Sequence, residues 1–256
     1  MKKSPFAERD QPMVSEQSGV RYLHFDSPWV QGAMQVTKPN RLVLAYTQQM
    51  MAWLLFLQPQ TDAIIGQLGL GAGALTRFCL KHLPNRLWVV EWNPDVVHVC
   101  QQFFKLSNQP KFEVFQEDAG KWVQKAANRH TCDILMVDLY DAQARGPVRD
   151  SLDFYKRCYD VLSPVGIMVV NLFGAHESYT RNVRHIETAF GGRLLFLSQI
   201  DEGNQIVLAF KGPPLQVPWA DLYEWAQQIE KQYQLPARKW VKSMVTRLVK
   251  GELVLN

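Results

Sequence analysis

The chain has 256 residues, enough for one or two full cores, and its 47% hydrophobic and 20% charged residues are ordinary for a soluble globular protein. Twenty-eight basic residues against 24 acidic ones leave a net charge of +4, too mild a surplus to argue for nucleic-acid binding. The N-terminus, Met1-Lys2-Lys3-Ser4-Pro5, runs into polar residues, and no apolar stretch reaches the about 18 residues of a membrane span, so a cytoplasmic protein without membrane contact is expected.

Residues 1–19 are polar and are expected to fray. Short alternating stretches, Arg21-Tyr22-Leu23-His24-Phe25 and Met34-Gln35-Val36-Thr37, broken at Ser27-Pro28 and Pro39-Asn40, predict a few antiparallel strands. Leu44 to Leu57 predicts an apolar helix that stops before Pro59. From there strands alternate with helices. Ala63–Leu68 leads into a glycine-rich turn and a helix to about Leu83, Arg86–Val90 into a helix from Pro94, and Phe112–Phe115 into a helix holding Trp122 and Val123. Asp133–Val137 and Gly166–Val170 follow, then a helix over Tyr179–Phe190. This order implies right-handed crossovers and a parallel sheet covered on both faces, an α/β fold. Arg193–Leu197 and Gln205–Phe210 predict a terminal antiparallel pair, closed by Pro213-Pro214. Trp219–Tyr233 and Lys239–Lys250 predict two appended helices, the second carrying a solvated basic face of Arg238, Lys239, Lys242, Arg247 and Lys250. The expected units are a tail and small β domain over 1–42, a nucleoside-binding domain over 43–214, and the C-terminal helices over 215–256.

Cys79, Cys100, Cys132 and Cys158 form no CxxC pair and sit among apolar residues, the setting of buried free thiols. The six histidines form no ligand-spaced cluster, and no metal is expected.

The chemistry gathers at strand ends. Gly69-Leu70-Gly71-Ala72-Gly73-Ala74 joins a strand to a helix, where glycine allows a sharp turn and close approach of a ligand. It also satisfies the G-x-G-x-x-G/A pattern of dinucleotide sites, so a nicotinamide enzyme is one reading. Glu91 closes the next strand, where a carboxylate can accept both hydrogen bonds of a ribose diol. Asp118, followed by Ala119, closes the third, where it can accept from an adenine amine or cap the helix after it. Together these point to adenosine. The fourth strand ends in Asp138-Leu139-Tyr140-Asp141, an acidic pocket suited to a cationic amine. An alkylamine with a pKa of about 10 must lose a proton before it attacks carbon, and a carboxylate can hold it and take that proton. A neutral thioether leaving a sulfonium needs no acid.

With these residues in place the chain resembles the spermidine synthase (polyamine aminopropyltransferase) family from about Phe25 to Phe210. The similarity lies in the β segment, Tyr46-Thr47-Gln48-Gln49-Met50-Met51, the Gly69–Ala74 loop, Glu91, Asp118, Asp138-Leu139-Tyr140-Asp141 and Phe154-Tyr155. The resemblance implies a class I S-adenosylmethionine-dependent (Rossmann-like) fold behind a short N-terminal β segment, and a homodimer. It implies decarboxylated S-adenosylmethionine as donor, bound by Gly69, Gly71, Gly73, Glu91, Asp118 and Ala119, with Gln35 and Gln48 bordering the pockets. It further implies Asp138 as base and Asp141, with Tyr140 beside it, at the far part of an amine acceptor. The chain departs from the family at Ala72, where the loop usually carries an Asp for the donor's amine, at Thr47 in place of a tyrosine, at Tyr140 and Ala142 in the acidic loop, and near Gln199-Ile200-Asp201-Glu202, where a tyrosine is missing. Losing that Asp removes a charge partner worth on the order of 1.5–3 kcal/mol, unless Asp201 or Glu202 substitutes. A methyltransferase using intact S-adenosylmethionine and a non-catalytic nucleoside-binding homologue are the alternatives.

Overall fold

The strands converge on one edge, and their order places that edge. The structure is a computed structural model and describes residues 11–25, 29–141, 148–201, 203–244 and 248–256. An antiparallel sheet opens the chain: β1 (Pro12–Gln17), β2 (Val20–Phe25) and β3 (Val30–Gln35), in the order β1-β2-β3. The tail expected to fray over 1–19 therefore contains a strand. Ser18 and Gly19, both at positive φ, form the tight turn that folds it onto β2.

Next comes α1 (Ala45–Gln49), followed by a 3-10 turn over Ala52–Leu55 in place of one long helix. Met50 through Leu55 are all buried, so the segment enters the core directly after α1. The central unit is β4 (Ile64–Leu68), α2 (Ala74–His82), β5 (Arg86–Val90), α3 (Pro94–Phe103), β6 (Phe112–Phe115), α4 (Ala119–Trp122), β7 (Cys132–Val137), α5 (Leu152–Val161), β8 (Leu162–Phe173), α6 (Tyr179–Phe190), β9 (Leu194–Phe196) and β10 (Asn204–Lys211). Its sheet runs β6-β5-β4-β7-β8-β10-β9, with β4 to β8 parallel and β10 antiparallel to both neighbours. This is the doubly wound, Rossmann-like sheet with an antiparallel end, as expected. Its order reverses between β4 and β7, which opens a crevice at their carboxyl ends.

Alternate residues feed opposite cores. Ile167 and Val169 join Phe78 and Trp53 on one face, while Met168 and Val170 join Trp122 and Tyr155 on the other. The chain finishes with β11 (Leu215–Pro218), α7 (Trp219–Tyr233), α8 (Ala237–Ser243), β12 (Leu248–Val249) and β13 (Glu252–Leu255). The helix expected to reach Lys250 thus ends at Ser243, and a small β11-β13-β12 sheet replaces its second half. Nor is this region an appendage. Leu222, Ala226 and Ile229, spaced along one face of α7, and Trp240 and Val241 of α8 are buried in the same core as Trp53. No helix among the described residues is long and apolar enough to cross a membrane.

Candidate active site

Backbone hydrogen bonds stitch the strand ends into one rim. The Glu91 amide donates to Phe115 O (3.0 Å), the Gly69 amide to Val90 O (2.9 Å) and the Asp138 amide to Leu68 O (2.9 Å). The glycine turn, Glu91 and Asp138 therefore sit on adjacent strands about 4.8 Å apart. Gly69 has φ +89°, and a Cβ there would fall 2.1 Å from the Asp138 carbonyl oxygen, so the turn can pass only as glycine.

Glu91 is 7% exposed and is held by the backbone: Oε2 accepts from Leu70 N (3.0 Å) and Oε1 from Asn93 N (2.8 Å). Burial raises its carboxyl pKa, and the amides of Asn93, Leu70 and Trp92 oppose the rise. Both oxygens keep lone pairs, so a diol can still be accepted. Asp118 performs the role of a cap. Its Oδ1 accepts from Lys121 N (3.1 Å) at the start of α4, and its Oδ2 pairs with Arg149. Ala119 is buried beside it.

The acidic pocket rests on a side-chain network. Asp138 Oδ1 accepts from Asn171 Nδ2 (2.9 Å), and the carboxylate also accepts from the Tyr46 hydroxyl. Burial lifts the Asp138 pKa above its ordinary value, and these two bonds pull it back. Burial and the neighbouring carboxylate push Tyr46 well above the usual phenol range, so it stays a donor. Asn171, on β8 and 2% exposed, accepts through Oδ1 from Asn204 Nδ2 (2.9 Å) on β10, and its carbonyl accepts from the Tyr140 hydroxyl (3.1 Å). Tyr140 thus turns back onto β8. Across the mouth, Gln31 Nε2 donates to Asp141 O (3.1 Å).

The predicted site residues are distributed unevenly over this geometry. The glycine turn, Glu91, Asp138, Tyr140 and Asp141 lie together at the β4/β7 crevice. Gln48, on α1, donates through Nε2 to Leu42 O (2.9 Å) just ahead of the helix, and Tyr46 on the same helix reaches Asp138. Gln35 closes β3, three residues and about 10 Å beyond Gly32, which touches the glycine turn. Gln31 occupies the pocket edge. Asp201 is exposed, while Glu202 and Ala142 lie outside the described residues. Tyr155 is buried and donates to Asn182 Oδ1 (2.6 Å), a core bond away from the pocket rim.

Sequence reading missed Tyr46, Asn171, Asn204 and Gln31. A tyrosine inside the Tyr46–Met51 motif was a signal for the first. The others had none, being single polar residues in strands and loops. Ala72 is 2% exposed and packs against Gly32, where an added Cβ would fall 2.5 Å from the Ala72 Cβ. The four cysteines are all free and buried, and burial lifts Cys79, Cys100 and Cys132 to about 12, which makes them inert.

The spermine/spermidine synthase domain model matches residues 43–186. A polyamine aminopropyltransferase of Neisseria meningitidis is 33% identical over 227 residues, 87% of this chain and 84% of the relative. That of Chromobacterium violaceum is 30% identical over 250 residues, 94% of each. Among solved structures, a probable spermidine synthase from Corynebacterium glutamicum superposes with a TM-score of 0.67 at 18% identity, over 78% of this chain and 76% of that one, a likeness of fold. The family model covers more than half of the chain, and both relatives are at least 30% identical over most of their own length: the chain belongs to the spermine/spermidine synthase family.

Proposed function

We propose that this protein transfers an aminopropyl group from decarboxylated S-adenosylmethionine to an amine, with Asp138 as the base. The observation that carries the reading is the recessed Asp138 carboxylate, fixed by Tyr46 and Asn171 against the backbone of the glycine turn. A carboxylate so placed accepts a proton from an ammonium acceptor, freeing the nitrogen lone pair. That nitrogen then bonds to the propyl carbon attached to sulfur as that carbon–sulfur bond breaks, and the sulfonium sulfur leaves as a neutral thioether. Glu91 would hold the ribose through its remaining lone pairs, and Asp118, fixed by its cap and by Arg149, would face the base. Asp141 adds negative charge at the far end for a second ammonium.

Ala72 favours a second reading, methyl transfer from intact S-adenosylmethionine. An apolar, buried Ala72 gives a donor ammonium no charge partner and sets no acid against a donor carboxylate. Calorimetric titration with both donors, methylthioadenosine and NAD separates the readings, followed by a turnover screen over amines. Tighter binding of the decarboxylated donor, with transfer to an amine, supports the proposal. Preference for the intact donor moves the assignment to methyl transfer, and binding of NAD alone overturns the roles of Glu91 and Asp118.

A further inference from the structure

Beside Arg77, which bonds to the glycine turn at Ala72 O, lies a cavity of ≈ 430 Å³ whose lining includes none of the residues assigned to the transferase chemistry. It is lined by Arg77, Lys81 and Lys105, with Asn40, Ser107 and Gln109 as further hydrogen-bonding groups. No carboxylate appears among its described lining residues. Three cations around one concavity repel one another, an arrangement that an anion relieves.

Arg77 makes the site more than a patch of surface lysines. It is 3% exposed, its Nε donates to Pro39 O (2.9 Å), and its Nη1 to Ala72 O. Nη2 has no hydrogen-bond partner. A buried guanidinium normally satisfies all its donors, and burial here draws the Arg77 pKa down to about 10. Nη2 is itself closed off from the surface, so Arg77 acts on the cavity as a buried positive charge behind the two lysines.

A second cavity of ≈ 260 Å³ adjoins the first, sharing Pro39, Asn40 and Lys81. Its wall is mixed, with Phe78, Tyr233 and Leu235 beside Lys38, Arg41 and His82. The first space suits a phosphate, which the ammonium groups of Lys81 and Lys105 can hold as hydrogen-bonding point charges with the Arg77 charge behind them. The second suits the organic body attached to it.

We propose that the cavity between Arg77, Lys81 and Lys105 binds the phosphate of a small phosphorylated molecule, at a site separate from the transferase pocket. Lys81 is exposed on α2, and its replacement leaves the core untouched. The test is calorimetry on the full chain with inorganic phosphate, phenyl phosphate and glucose 6-phosphate, and with phenol and glucose as phosphate-free controls. All three phosphates should bind at one site per chain and the controls should not; tighter binding of phenyl phosphate than of inorganic phosphate would assign the adjoining cavity to the organic body. Lys81→Glu should weaken binding about tenfold or more, and Asp138→Asn should leave it unchanged. No heat from any phosphate up to about 10 mM overturns the proposal. So does binding that ignores Lys81→Glu, or binding that is lost in Asp138→Asn, which would assign the anion to the transferase pocket. The first two failures leave the aminopropyl-transfer reading as it stands, whereas the third would bear on the acidic pocket itself.

Discussion

The two sides of the crevice are built by different means. On the side proposed for the nucleoside, Glu91 is clamped by the amides of Leu70 and Asn93, groups that the fold supplies whatever side chains follow. On the side proposed for the acceptor, Asp138 is held by Tyr46 from α1 and Asn171 from β8, with Asn204 from β10 behind them. A carboxylate fixed by backbone is part of the architecture, so its loss should cost stability as well as binding. A carboxylate fixed by side chains is adjustable, and its loss should cost rate.

Asp138→Asn is the largest expected break. Removing the base should lower the turnover rate by about 10²–10⁴ in a transfer assay. Because the folded Asp138 carboxyl has a raised pKa, the native state holds its proton more tightly than the unfolded chain, and its contribution to stability falls as pH rises through that raised value. A neutral Asn that can still accept from Asn171 removes this penalty, so thermal unfolding at neutral pH should be no lower than in the parent. A clear drop in melting temperature would erase the contrast between the two sides.

Glu91→Ala comes next and should behave in the opposite sense. Two buried amides lose a charged acceptor, which should cost about 3 kcal/mol and lower the melting temperature by about 6–12 °C, with nucleoside affinity falling too. An unchanged melting temperature would show that the amides find other partners and that Glu91 is not part of the architecture.

Asn171→Ala sharpens the acceptor half. Its bond lowers the Asp138 pKa, so removing it should move the acid limb of the rate profile to higher pH, further above the ordinary carboxyl value of 3.8. The rate at neutral pH should fall about 30-fold, for a lost charged hydrogen bond of about 2 kcal/mol. A lower rate with an unmoved acid limb would make Asn171 a packing residue only. The smallest effect belongs to Arg149→Ala. Its pair with Asp118 is half exposed, and its loss should change stability by about 0–1 kcal/mol in denaturant unfolding. A larger loss would place Asp118 on the architectural side with Glu91.

The same contrast explains what could be read beforehand. The glycine turn, Glu91 and Asp138 each stand directly at the end of an apolar strand, so local pattern and the rule that ligands bind at strand ends located them. Asn171 and Asn204 lie 33 positions apart and are ordinary residues until β8 and β10 pair. No local pattern reports a bond that exists only through pairing. Gln35 and Gln48 were chosen by motif order, while Gln31 and Tyr46, a few residues earlier in each case, make the contacts. The C-terminal sheet was hidden for another reason. Strands of two and four residues are too short to show alternation, and a basic, partly apolar run reads equally well as helix.

The contact between Gly32 and Ala72 makes two distant positions a single unit of variation. With only a few ångströms between β3 and the turn, no side chain can be added at 32 while 72 stays as it is, and a longer one at 72 would have to lift the strand. Placing an acid at 72 therefore requires the N-terminal sheet to move in the same step. The space inside the turn is then inherited with the seating of a whole sheet, and a single substitution at 72 cannot change one without the other.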